Sequence, residues 1–579
     1  MGRRLISSRL VLYVDAIRAM RLRQAVGRAR RLVPPRLLLA GAAPARVGEF
    51  QALAGGLTAE VASQSAPSRA AHDAQAFAAV GATRAFSPRR VFWLDDADGL
   101  LFLFHLHSFV ELPGALGDHA NPSVLPFWSN VITSWLDLFE QPELPAWHPY
   151  PTSVRVIAWS VALSANGWDP VLRRRMVESL WRQAHYLRRS VEHDIGGNHV
   201  LKNATALVFA GVCFPDSSLL DRVLRLLDHE LQRQFLADGG HEERSTSYHR
   251  EALHDLRQVA QLLSRSGRSA SVTLQRTIDR GEAWSEAIAG PDLKLPLLND
   301  AWEGPPLAKR TSEDLTVLPD SGHVILRHGS DQVVFDCGPL SPRHLPPHAH
   351  ADALSVVVWF EGKQLVVDRG AFAYTGPERN HFRVTAAHNT VEIERESQCI
   401  FWGDFRASRL PSVELSTVQR VEGAVLVSAS HDGYRHLTGE PIHQRVLVWL
   451  PGDGLLIVDR LDSQVAHAVR SFLHLAPSAN LAGWSVGDIS LAALGPLPSR
   501  RIAARHAPWL GTEVAAETLV QEGTVRPLLS FGWSLLRPGM VVRALDTHSV
   551  CIARSEGNVL ELALPWPSPR IARDPRPGV

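Results

Sequence analysis

The hydrophobic repeat changes once along this 579-residue chain, near residue 310, and one layer of secondary structure cannot satisfy both halves. From 171 to 264 the apolar residues recur at helical spacing. Leu172, Met176, Leu180, Ala184 and Leu187 form one stripe, Val223, Leu227, Leu231 and Phe235 a second, and Leu253, Leu256, Val259 and Leu263 a third. The short Gly-containing breaks between them suit antiparallel helix hairpins. Beyond about residue 310 the period becomes two, and Gly322–Arg327, Val333–Asp336, Leu354–Phe360 and Gln364–Val367 read as strands. Pro451-Gly452-Asp453-Gly454 between Arg445–Leu450 and Leu455–Asp459 reads as a hairpin turn. Ser471–Leu475 and Val559–Leu564 continue the pattern. The expectation is a multidomain α+β chain: a basic helical or loop segment over 1–95, an all-α domain over 96–310, and an antiparallel β-sandwich over 311–579.

Composition narrows the function classes. With 60 Lys and Arg against 59 Asp and Glu, the chain has no general electrostatic case for nucleic acid. The four cysteines, Cys213, Cys337, Cys399 and Cys551, are far apart and read as small buried apolar residues. No run is long and apolar enough to span a bilayer. The N-terminus makes a poor signal peptide because Arg9, Asp15 and Arg18 interrupt its apolar part. Residues 1–36 carry ten Arg and one acid, with Leu10, Val14, Ile17 and Met20 at helical spacing. Two readings fit: a basic amphipathic helix on a membrane surface, or a helix packed on its own domain with a solvated Arg face. The second is the favoured one. Residues 41–85, rich in Ala, Gly and Ser, read as loop or weak helix, and the tail after Pro565 as disordered.

Chemistry concentrates in His344–Thr390. His348, His350 and Asp352 alternate, so an extended backbone would place them on one wall. His350, Asp368 and His388 offer two imidazoles and a carboxylate from three segments, an acceptable zinc set with water as fourth ligand. Ordinary polar residues at strand ends are the competing reading. Upstream, LFLFHLHSFVEL (101–112) precedes AWHPYPTSVRVIAW (146–159), where Pro151 with Thr152 or Ser153 reads as a helix start. Trp147, Tyr150 and Arg155 form either a sugar-binding rim, with Arg155 facing an anion, or an aromatic corner of the core. GGNHVLKNATALVFAG (196–211) opens with Asn198 and His199, where Asn198, taken by itself, reads better as an N-cap than as a site residue. DGGHEERSTSYHREALHDL (238–256) sets Glu243 and Arg244 before a Ser/Thr cap, with Tyr248 and His249 at the first helical turn.

Together HAHADALS, VDRGAFAYTG, AAHNTV closing at Val391, the Asn198-His199 pair and ERSTSYH resemble the heparinase II/III-like polysaccharide lyases, in that family's order, from about Leu101 to Asp459. Ser108 departs from an aromatic common there, which would alter one sugar contact. The resemblance implies an N-terminal (α/α) toroid before the sandwich; periodicity alone shows only many helices. It also implies β-elimination at a uronic acid, with Asn198 neutralising the carboxylate beside His199, Tyr248 transferring protons, and His348 as the active-site histidine. Asn198 and Tyr248 would come from the helical domain and His348 from the sandwich, with the site in the cleft between. Glu243, Arg244, His249, Tyr374, Arg379 and Arg383 join Trp147, Tyr150 and Arg155 as candidate substrate contacts. His350, Asp368 and His388 would hold a structural zinc.

The expected partner is an acidic polysaccharide: a glycosaminoglycan such as heparan sulfate, hyaluronan or chondroitin, or alginate. A non-catalytic protein that binds acidic polysaccharide is the alternative. A zinc hydrolase ranks last, for want of an HExxH helix or a second carboxylate cluster. Relatives imply the periplasm, while the N-terminus leaves the cytoplasm open. The oligomeric state is open too, a homodimer included.

Overall fold

The structure, a computed structural model, describes residues 12–14, 16–39, 49–53, 75–117, 123–215, 217–554 and 558–567. Leu10 of the N-terminal stripe and most of the tail after Pro565 lie outside them. A helical N-terminal region is followed by antiparallel sheets, as the change of period requires. Two compact units divide the chain, and the division is not sequential. One comprises Ile17–Phe235 and Arg250–Gly281; the other gathers Met1–Ala16, Leu236–His249 and Glu282–Val579. Tyr248 therefore belongs to the unit that carries the sheets, not to the helical one.

The helical unit is built on Val124–Leu138, Pro149–Ala162, Pro170–Leu187, Gly197–Cys213, Ser217–Gln234 and most of Thr246–Arg265. Asp169 caps Pro170–Leu187, accepting from the backbone N–H groups of Val171 and Leu172, with Pro170 at the first helical position. The core is unusually aromatic: Trp93, Trp128, Trp135, Trp147 and Trp159 are all buried in one cluster. Helix Pro149–Ala162 is capped by His148, whose Nδ1 accepts from Tyr150 N–H, not by Thr152 or Ser153. Pro149 explains the earlier start, since its fixed φ suits the first turn. Ser153 lies inside and donates back to the Pro149 carbonyl. Residues 76–85 form a hairpin, Ala76–Ala79 with Ala82–Ala85, where loop or weak helix is expected; 40–48 and 54–74 lie outside the described residues. Val80 and Gly81, both at positive φ, supply the two-residue turn that composition hid.

In the other unit, a five-stranded antiparallel meander runs through Leu315–Leu318, His323–His328, Asp331–Asp336, Val356–Phe360 and Lys363–Val366. One face of it (Val324, Leu326, Val333, Phe335, Val356, Val358) packs on Val427, Leu447, Trp449, Leu455, Ile457 and Trp533 of an eight-stranded sheet. The other face (Ile325, Val334, Val357, Trp359) packs on Trp284, Ile288 and Leu298. Burial on both faces makes Val324–Leu326, Val333–Phe335 and Val356–Phe360 apolar at successive positions, so the expected alternation does not hold in these strands. The predicted hairpin is present, with Leu450 opposite Gly454 and Pro451–Asp453 as its loop.

This meander positions the chemistry. His348 and His350 lie on the connection from Asp331–Asp336 to Val356–Phe360, Asp368 lies just past Lys363–Val366, and His388 follows the 3-10 turn Thr385–Ala387. The connection is a chain of turns, not an extended strand, so simple alternation does not place His348, His350 and Asp352.

Candidate functional site

Tyr248 is the third residue of helix Thr246–Arg265, and its backbone N–H donates to the Ser245 hydroxyl, an N-cap contact that fixes the first turn. The phenol oxygen lies 2.7 Å from the Tyr374 hydroxyl. Its ring lies against the His348 imidazole, centroids 4.1 Å apart. His348 Nδ1 donates to Asp300 Oδ2 at 2.9 Å, which turns Nε2 toward Glu243 Oε2 at 3.5 Å. A tyrosine hydroxyl and an oriented imidazole side by side can take a proton from one atom and return it to another.

Asp300, which the sequence reading missed, is the hub. It accepts from His348, from His350 Nε2 at 3.0 Å, and from both terminal nitrogens of Arg379 at 3.2 and 2.8 Å. Burial alone would raise its pKa; Arg379 first, then the two histidines, hold it well below the usual carboxylate range. Neighbouring Asn299, at positive φ, accepts the His350 backbone N–H. The only signal in sequence was an Asn-Asp pair inside an apolar loop, LPLLNDAW.

His350, Asp368 and His388 converge: their ligand atoms all lie within 4.8 Å of one another, fully buried. His350 gives one nitrogen to Asp300, and His388 Nδ1 donates to Asp368 Oδ2 at 2.7 Å. The remaining nitrogens, His350 Nδ1 and His388 Nε2, are buried without a hydrogen-bond partner. Burial pulls the His350 pKa down to about 4, so it is a neutral donor at pH 7. Two orphaned lone pairs and a carboxylate offer three of the four donors that a tetrahedral zinc takes, with water as the fourth, and the Asp300–His350 contact is the usual outer support of a metal-bound imidazole. The residues present therefore fit a zinc ion.

Several predicted substrate contacts are structural. Arg379 and Arg383 are buried, with their donors committed to Asp300 and to the carbonyls of Pro347, Gly403 and Asp404. Arg244 donates to the carbonyls of Ser321 and Asp320. His249 is buried against Trp284 and bonds Ser285. Tyr374 and Glu243 remain beside Tyr248 and His348.

The helical unit holds a second histidine–carboxylate cluster. Helix Gly197–Cys213 is capped by Gly196, so Asn198 is not its N-cap. His199 Nδ1 lies 3.1 Å from Glu192 Oε1, and the Tyr150 ring packs 4.7 Å from the His199 ring. Glu192, also missed in sequence, is buried and further held by the Asn203 amide at 3.1 Å. Burial pushes its carboxyl up, but His199, His148 and Asn203 outweigh that and hold it at about 2. Trp147 and Arg155 do not face solvent. Trp147 donates to the Phe139 carbonyl, and Arg155 is spent on Gln183 and the carbonyls of His107 and Ala146, stacked over Trp135. They form the aromatic corner, not a sugar-binding rim. Ser108 is likewise buried, bonded to the His105 carbonyl.

Comparison with known proteins decides the family. Residues 310–557 match the family described as "Heparinase II/III-like, C-terminal", and residues 128–324 match "Heparinase II/III N-terminus". The chain belongs to the heparinase II/III-like family. It is 28% identical to FtsZ-localized protein C of Caulobacter vibrioides, over 65% of this chain and 70% of that one. It is 24% identical to the heparin-sulfate lyase of Pedobacter heparinus, over 47% of this chain and 48% of that one, so it spans about half of that relative's length. The crystal structure of heparinase III matches with a TM-score of 0.72 at 14% identity, covering 94% of this chain and 95% of that one. This heparinase II/III-like chain thus has the (α/α) toroid and β-sandwich fold.

Proposed function

We propose that this chain is a polysaccharide lyase that cleaves a uronic-acid-containing polysaccharide, of the glycosaminoglycan class, by β-elimination. The observation that carries the reading is the juxtaposition of the Tyr248 hydroxyl with His348, the one tied to Tyr374 and the other to Asp300. In the reaction the C5 proton passes to a base, and the C5–H electron pair becomes the C4–C5 double bond. The C4–O bond breaks with its pair on oxygen, and that oxygen takes a proton from an acid. Tyr248 and His348 are the two groups placed to exchange those protons, and Tyr374 keeps the phenol oxygen in register. Asn198 is assigned the donor that stabilises the enolate-like carboxylate, on the family resemblance.

His350, Asp368 and His388 are proposed to hold zinc. The ion, when bound, supplies structural crosslinking between the His348 loop and the end of the meander. His348 keeps its orientation through Asp300, and no proton step in this chemistry needs a metal-activated water.

The test is a panel of acidic polysaccharides: heparan sulfate, hyaluronan, chondroitin sulfate and alginate. Ultraviolet absorbance of the unsaturated uronate and product mass report the outcome. Products lighter by one water than hydrolysis fragments support the reading. Binding of glycosaminoglycan without any such product would overturn it in favour of a carbohydrate-binding role.

A further inference from the structure

The Arg-rich N-terminal segment is not used by the lyase chemistry, and its geometry reverses the usual order of a surface helix. Helix Leu22–Arg30 turns Gln24 and Gly27 inward. A Cβ on Gly27 would lie 2.6 Å from the Asp194 backbone nitrogen, so the helix backbone rests directly on that loop. Arg31 pairs with Asp194 and reaches Glu192 at 3.7 Å, while Arg23 reaches Glu230 at 3.6 Å. The inward face is thus small and polar. At 100° per residue the opposite side carries Leu22, Ala25, Val26 and Ala29. Leu22 is 81% and Val26 50% exposed, and Leu32 and Leu37 beyond the helix are 85% and 61% exposed. Arg30, and Arg23 with its head group turned to Glu230 and His229, flank the apolar strip on one side, Arg21 and Arg28 on the other. The segment 21–31 has no acidic residue.

We infer that this helix is an in-plane docking element for an anionic lipid surface. An apolar strip facing outward between two rows of arginines matches an interfacial helix, whose side chains enter the acyl boundary while flanking cations reach headgroup phosphates. The strip is one helix wide, well short of the ~800 Å² per partner that a stable protein interface buries. The inward anchoring fixes the strip's direction without spending apolar surface. Binding is peripheral and reversible, because so short a strip supplies limited apolar burial and the charge attraction is screened by salt.

The test is co-flotation of the full chain with vesicles of phosphatidylcholine alone or mixed with phosphatidylglycerol. The chain is expected to float with the mixed vesicles at low salt, not with the neutral ones, and to be released by high salt. Leu22→Gln with Val26→Gln is expected to lower binding about tenfold or more by removing apolar burial. Arg28→Gln and Arg30→Gln are expected to lower it roughly fivefold each. All four positions are exposed and outside the proposed catalytic groups, so melting temperature and turnover of soluble oligosaccharide should not change. No flotation with phosphatidylglycerol at low salt overturns the inference. Flotation that survives Leu22→Gln with Val26→Gln also overturns it, reducing the helix to a basic patch. If the apolar double variant instead splits a dimer of a chain that ignores vesicles, the strip is a contact between copies.

Discussion

Replacing Asp300 by Asn tests the hub most directly. The change keeps the shape and removes the charge that four donors share: His348, His350 and two from Arg379. The new amide presents N–H groups where only acceptors fit. Arg379 is left as a buried cation without its counter-ion, which costs about 3–5 kcal/mol of stability. His348 loses the acceptor that fixes its tautomer, and His350 its outer support. Loss of such a partner typically costs about 10–100-fold in activity or metal affinity. Because Asp300 is fully buried, it does not touch substrate, so KM should hold while kcat falls by about two orders of magnitude. Initial rates of unsaturated uronate formation, taken well below the variant's melting temperature, separate the terms. Arg379→Gln is the control: it weakens the same fold while leaving Asp300 on His348, so its kcat should fall much less. Wild-type kcat in folded Asp300→Asn, or equal losses in the two variants, would refute the orienting role.

Three further outcomes follow. Tyr248→Phe removes the phenol oxygen but keeps the ring packed on His348, so turnover should fall by about 10²–10⁴-fold with substrate binding nearly unchanged; near-normal turnover beside inactive His348→Ala and Asn198→Ala would move the proton transfer elsewhere. Metal analysis should find one equivalent of zinc, released slowly by chelators and absent from His388→Ala, with a lowered melting temperature; a chain that purifies without metal and melts unchanged with added zinc would count against the site. Glu192 sits at about 2 when folded against an ordinary value of 4.5, so its contribution of about 3 kcal/mol is fully present above pH 4.5 and lost as pH falls through about 2. Glu192→Gln should therefore flatten acid denaturation in that window, and a variant that unfolds along the wild-type acid curve would show that the carboxylate is not held this way.

Motifs that depend on neighbours in the chain were legible. Tyr248 sits at the first turn of a capped helix because Ser245 and Thr246 precede it, whereas the convergence of His350, Asp368 and His388 was implied by the family resemblance and not by spacing alone. Residues whose meaning depends on a distant partner were not. Trp147 and Arg155 look like a sugar-binding rim in sequence, yet Arg155 finds its acceptors in the core, on Gln183, Ala146, His107 and Thr152. Arg244, Arg379 and Arg383 have the chemistry of carboxylate-binding residues and are spent on this chain's own carbonyls and on Asp300. Sequence displays the donor but not the acceptor that claims it. The hairpin at 76–85 was missed for a related reason: its turn rests on positive φ at Val80, which is not a residue associated with that conformation.

The two carboxylates that the motifs do not include share one physical role. Glu192 holds His199 from seven residues away, and Asp300 holds His348 from forty-eight away. Each is buried, each is kept ionised against the pull of burial, and each occupies one ring nitrogen of its histidine and leaves the other for further contacts. Asp300 adds a second contact, because its other oxygen supports His350 in the His350–Asp368–His388 cluster proposed to hold zinc. Disturbing the metal should thus reach His348 through a single carboxylate, without any direct contact between ion and substrate. That coupling has a direction that can be read. Stripping zinc from the wild type should lower kcat, since His350 is released and Asp300 can shift. In Asp300→Asn, where the link is already cut, stripping should change stability and leave the residual kcat where it was. If metal removal lowers kcat by the same factor in both, the ion acts on the site by another route.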